Sequence, residues 1–181
     1  MQTDPPLNAA PDDLRARAFA AFDRLAAGAD ALGIALSGGG DSTALMYLAA
    51  EWAGLRGRHL ATATVDHGLR DGSDAEAAAA GAQAARLGLS HHILRWQVGA
   101  NAPGNLMANA RQARLDLLGD WARGQGLQGV MLGHTRDDLA ETLLMRLARG
   151  AGIDGLAAMS ARREDLDMLW LRPLLDLGRD R

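Results

Sequence analysis

Residues 37–42 read Ser37-Gly38-Gly39-Gly40-Asp41-Ser42, set between a short apolar run and a segment of helical periodicity. Successive small residues let backbone N–H groups turn toward one point, where the following helix presents its own unsatisfied N–H groups and positive dipole end. Hydroxyls on Ser37, Ser42 and Thr43 add donors. The chemistry such a loop serves is the holding of an anion, phosphate above all; a plain tight turn is the other reading of three glycines after a strand. Two familiar phosphate fingerprints do not fit. A G-x-x-x-x-G-K-[ST] loop needs a lysine that is absent, and G-x-G-x-x-G begun at Gly38 meets Thr43 in place of its third glycine.

A second cluster follows at 133–141. His134, Asp137, Asp138 and Glu141 fall at the end of an apolar run and on the first turns of a helix, with Asp137 and Glu141 four apart on one face. Carboxylates suit Mg²⁺, which bridges protein oxygens and substrate phosphates, and Asp41 in the glycine loop is a further candidate for it. Asp137 and Asp138 would also favour a helix N-terminus through its dipole alone. His134 can orient a nucleotide, or be a strand-end histidine satisfied by its neighbours. Arg111 with Arg114, and Arg146 with Arg149, stand three apart; each pair can meet phosphate or simply solvent. His91 and His92 have no spaced partners and read as structural.

The elements that must position these groups alternate in period. From Asp12 a helical stripe runs through Leu14, Ala18, Phe22 and Leu25, behind a proline-containing lead-in at 1–11 that reads as disordered. Apolar runs at 31–37, 59–67, 91–96, 129–134 and 168–174 read as strands. Helical segments at 42–54, 73–88, 105–126 and 137–150 separate them, the second opened by Ser73 with Glu76 three residues on as a capping box. The alternation predicts a doubly wound, mostly parallel open α/β sheet with helices on both faces. Ligands in such sheets sit outside the carboxyl ends of the strands. The polar clusters after three of these runs therefore belong to one site.

Composition narrows the chemistry. The 181 residues carry a formal charge of −3, so a polyanion would have to be gripped by a local patch. All 19 Lys+Arg residues are arginine, which rules out Schiff-base lysine chemistry within this chain. With no cysteine, disulfides, thiolate metal sites and persulfide chemistry are excluded too. Neither a signal-peptide pattern nor a run of about 18 apolar residues is present, and a soluble cytoplasmic protein with no membrane partner is the expectation.

The loop "SGGGDS" resembles the SGGxDS signature of the PP-loop, or N-type ATP pyrophosphatase, family, whose loop cradles the pyrophosphate portion of ATP and needs no lysine of its own. "VDHGLR" at 65–70, "NARQAR" at 109–114, the block at 133–159 and "LRPLL" at 171–175 are similar, in order and spacing, to the catalytic domain of the tRNA(Ile)-lysidine synthases. The resemblance covers roughly residues 30–176. It departs from the E-A-R-x-x-R-Y pattern at Asn109 and Leu115, and the chain stops where family members usually continue into tRNA-gripping domains. The resemblance implies an adenine nucleotide alpha hydrolase-like fold over 12–181. It further implies ATP held by Ser37–Ser42, Val65, Asp66 and Gly133, Mg²⁺ near Asp41, Asp137, Asp138 and Glu141, and catalysis by Asp41, His134 and Asp137. Arg70, Arg111, Arg114, Arg146 and Arg149 would contact phosphate or tRNA. The activity implied is ligation of free lysine to C2 of the wobble cytidine of a CAU-anticodon isoleucine tRNA. Another PP-loop tRNA-modifying or amide-forming enzyme, and a nucleotide-binding module without turnover, are the alternatives, and a second copy of the chain stays open as a partner.

Overall fold

The computed structural model describes residues 11–66, 72–96, 106–148, 159–165 and 167–178. Six strands form one sheet: β1 (Ala31–Ala35), β2 (His59–Asp66), β3 (Ser90–Arg95), β4 (Gly129–Leu132), β5 (Arg162–Asp165) and β6 (Met168–Leu171). Among the described residues five helices accompany them: α1 (Pro11–Leu25), α2 (Gly40–Arg56), α3 (Ser73–Arg86), α4 (Leu106–Gly124) and α5 (Arg136–Ala148). The strand order is β3-β2-β1-β4-β6-β5, parallel except where β5 runs against β6. From β1 the chain winds outward to β2 and β3, then returns to the other side of β1 as β4. The reversal leaves a crevice at the carboxyl ends of β1 and β4, the switch point at which such sheets bind ligands.

Period-two alternation in the strands feeds two cores. Leu32 and Ile34 of β1, Met131 of β4 and Leu169 and Leu171 of β6 face Phe22 of α1 and Leu45, Met46, Ala49 and Trp52 of α2. Val130 and Leu132 of β4 and Met168 and Trp170 of β6 face the other way, onto Leu118, Trp121 and Ala122 of α4. Gly33 sits beneath the indole of Trp121; a Cβ there would lie 2.7 Å from a ring carbon. The α1–α2 pair is further joined by Asp23, which accepts from the Trp52 indole at 2.8 Å and from Arg56 at 2.9 and 3.1 Å. Those hydrogen bonds, the one from Arg56 foremost, hold the Asp23 carboxyl down at about 2. No helix among the described residues is long and apolar enough to cross a membrane.

Two expectations need correction. Ser73 is not a helix cap: Gly72, at φ 88°, takes that place without a side-chain bond, and Glu76 N–H reaches the Gly72 carbonyl at 3.1 Å. A glycine that accepts the left-handed turn makes Ser73 the first helical residue. Strand β5 escapes a search for apolar runs because "RRED" is charged and mostly exposed, as suits the outer edge of a sheet.

The close seat of Trp121 on β1 makes Gly33 a sensitive position. Gly33→Ala is expected to lower folding stability by about 1–3 kcal/mol through overpacking, read as a lower urea midpoint at unchanged m-value.

Candidate active site

Chain geometry builds the loop before any ligand arrives. Past β1, Leu36 N–H still bonds to the Ala63 carbonyl at 2.8 Å, and the Thr64 hydroxyl donates to the Leu36 carbonyl at 2.6 Å, so the strand end is pinned on β2. Gly38 then turns at φ 79° and Gly39 is the extended N-cap of α2. The Ser42 hydroxyl donates to the Gly39 carbonyl at 2.9 Å, and Ser37 N–H donates to Ser42 Oγ at 3.1 Å. Having spent its one proton, Ser42 Oγ must accept from the Ser37 hydroxyl 2.9 Å away. Ser42 is thus buried and structural, the latch of the loop. Thr43 N–H makes the first helical bond, to Gly39, leaving the N–H groups of Gly40 and Ser42 ahead of the ladder at the positive end of α2.

The second polar cluster is pressed against this latch. Gly133, directly after β4, stands so near the start of α2 that a Cβ would lie 2.8 Å from Ser42 Cα and 2.9 Å from Ser42 N. Its neighbours follow from there. Thr135, buried, precedes α5, and Asp138 reaches back to accept from Thr135 N–H at 2.7 Å and the Thr135 hydroxyl at 3.0 Å. Both bonds run from Thr135 to the same carboxylate oxygen at the start of α5, so one oxygen of Asp138 already serves the fold. Asp41 lies in the first turn of α2, Asp137 in the first turn of α5, and Glu141 is exposed one turn on. Among the described residues no three His, Asp or Glu side chains converge into a cage for a metal ion. Such a donor set fits a Mg²⁺ shared between one or two carboxylates and substrate phosphates, and does not fit a protein-only site.

Beside the loop, between the ends of β1 and β2, opens a cavity of about 280 Å³. Ala35, Ala63 and Leu118 give it an apolar floor, while Ser37, Asp66 and Arg114 bring polar groups to it. Val65 and Thr64 line it as well. Ser37 thus belongs both to the cavity and to the anion loop.

Around His134 the charges are arginines. Arg172, one residue past β6, is 8% exposed; its Nη1 donates to the Ser160 carbonyl at 2.9 Å and its Nε to His134 Nδ1 at 3.2 Å. Burial first, then the charges of Arg172, Arg114 and Arg111, outweigh Asp138 and hold the His134 imidazole down at about 4 against an ordinary 6.5. Arg114 and Arg172 are themselves pushed down by burial and by Arg111. None of the three has a carboxylate partner among the described residues. Sequence reading named Arg111 and Arg114 but passed over Arg172, although an arginine directly after the buried run "MLWL" was a usable signal. Arg70, Arg149 and the side chains of Arg146 and Asn109 lie outside the described residues.

A doubly wound sheet with a glycine loop after β1 and an adjoining nucleoside-sized cavity at the carboxyl ends of β1 and β2 defines an α/β nucleotide-binding domain. A family profile described as a PP-loop domain matches residues 13–181, and the chain belongs to that family. It is 53% identical over 149 residues to a tRNA(Ile)-lysidine synthase of Ruegeria pomeroyi, covering 82% of this chain and 35% of the relative. Over 155 residues it is 51% identical to the synthase of Rhodopseudomonas palustris, covering 84% and 44%. The chain therefore spans well under two thirds of these relatives. The U34-tRNA thiolase NcsA from Methanococcus maripaludis, solved with its [4Fe-4S] cluster, shares the fold at a TM-score of 0.78 and 18% identity, over 96% of this chain and 63% of that one.

Two expectations follow. Gly133→Ala must displace the latch, and is expected to weaken ATP-analogue binding by about tenfold or more in a titration calorimeter, with the far-ultraviolet circular dichroism unchanged. Because His134 is held below its unfolded value, the unfolded chain takes up a proton between about pH 6.5 and 4 that the folded chain refuses, so this group lowers stability as the pH falls through that window. His134→Gln should flatten the fall in urea midpoint between pH 7 and 4.5; equal slopes would show a freely ionising imidazole.

Proposed function

We propose that this chain is the adenylating catalytic domain of a tRNA(Ile)-lysidine synthase, using ATP to join free lysine to C2 of the wobble cytidine in a CAU-anticodon isoleucine tRNA. The observation that carries the reading is the continuity, through Ser37, of a nucleoside-sized cavity with a preformed anion loop. Adenosine in the cavity, with Val65 and Asp66 at its edge, would direct its phosphates along the Ser37–Ser42 loop. The likeness to named synthases supports tRNA as the substrate.

In the first step the cytidine C2 oxygen attacks the α-phosphorus and pyrophosphate leaves. Loop amides and the arginines at 111 and 114 would carry the negative charge that builds on the departing group. Bound Mg²⁺, held through Asp41 and Asp137, would add Lewis-acid stabilisation of phosphate charge. In the second step the lysine ε-amine attacks C2 and AMP is expelled, adenylation having turned a poor leaving oxygen into a good one. The absence of cysteine from the 181 residues disfavours the sulfur chemistry named for the thiolase of shared fold.

The test uses α-labelled ATP, Mg²⁺ and unmodified isoleucine tRNA, with and without lysine. Labelled AMP with pyrophosphate, dependent on tRNA and lysine together, is the expected product. ADP would overturn the mechanism, and ATP binding with no cleavage would favour a module without turnover. Asp41→Ala is expected to abolish AMP release in a protein that still melts as a folded domain; retained turnover would remove Asp41 from the site.

A further inference from the structure

His134 and Arg172 come from adjacent strands. β4 pairs with β6 through Met131↔Leu171, so the residues just past each strand emerge side by side at the carboxyl edge. Arg172 is fixed there by three bonds: its backbone N–H to the Ala161 carbonyl at 2.8 Å, Nη1 to the Ser160 carbonyl at 2.9 Å, and Nε to His134 Nδ1 at 3.2 Å. Ser160 and Ala161 lead directly into β5, and Pro173 follows at once, so the guanidinium is held by the β5–β6 hairpin as well as by its own strand. A guanidinium has only donors and keeps its charge in proteins. The atom facing it, Nδ1, must then offer a lone pair. A neutral imidazole that accepts at Nδ1 carries its one proton on Nε2.

We propose that Arg172 is a positioning residue that locks His134 as the neutral Nε2–H tautomer, so that His134 serves the site as a hydrogen-bond donor to an anionic oxygen and not as a proton acceptor. The bond that orients the ring also blocks its second protonation, because a proton on Nδ1 would point at a fixed cation. The depressed ionisation of His134, which has Arg172 as its largest charge contribution, agrees with this. The role suits a centre where phosphate charge accumulates, with Arg111 and Arg114 as the other cations facing the ring and Asp138 as the acid. The use of the donor rests on the adenylating function proposed above, whereas the tautomer does not.

The experiment is a long-range proton–nitrogen correlation spectrum of histidine-labelled protein at pH 7, with His134→Gln to assign the ring. The expected result is one tautomer, proton on Nε2 and lone pair on Nδ1. Arg172→Met should mix the two tautomers, and in the AMP assay should lower kcat by about tenfold or more with little change in the KM for ATP. A wild-type ring protonated on Nδ1 overturns the proposal, and this reading does not depend on the Arg172 variant folding. A folded Arg172→Met protein with an unchanged single tautomer overturns it as well. Should the wild-type spectrum come out as expected while no AMP is formed, the lock stands and the adenylating function falls.

Discussion

The carboxyl edge of the sheet depends on one steric constraint: the end of β4 and the start of α2 approach so closely that only a glycine fits between them. Gly133 lets the backbone after β4 press against Ser42, and Ser42 is the latch that shapes the anion loop. Through that contact the first polar cluster and the second become one rigid body. The helices that carry Asp41 and Asp137 follow adjacent strands of the sheet.

Electrostatics completes what packing begins. The chain is acidic overall, yet three arginines from α4 and from the end of β6 gather near His134 with no carboxylate partner among the described residues. Burying like charges together is unfavourable unless an anion or hydrogen bonds offset it. Of the three only Arg172 is buried, and its three hydrogen bonds show how the fold tolerates its charge. Around His134 the local field is therefore opposite in sign to the net charge.

Much of this was legible in the residues. Parallel α/β architecture follows from apolar runs alternating with helical stripes, and the glycine loop declares its anion chemistry because its function is a backbone property that glycine spacing encodes. What stayed hidden depends on partners distant in sequence. The bonds of the Ser42 hydroxyl to Ser37 and Gly39, and those of Asp138 to Thr135, add a structural part that the residue types alone do not show. Thr64 reads as an ordinary strand residue although its hydroxyl pins the end of β1. Arg172 lies 38 positions from the histidine it orients, a pairing that only the β4–β6 register creates. Strand β5 was missed for the opposite reason, since an edge strand can be charged throughout.

The two faces of the sheet are not equally anchored. Among the described helices, α4 alone supplies side chains to the second core, where the Trp121 ring rests on the bare backbone of Gly33. Arg111 and Arg114 ride on the same helix, two to three turns toward its N-terminus. One helix thus carries both the aromatic seat on β1 and the guanidinium that reaches the cavity, so a contact in the middle of the sheet sets where Arg114 stands.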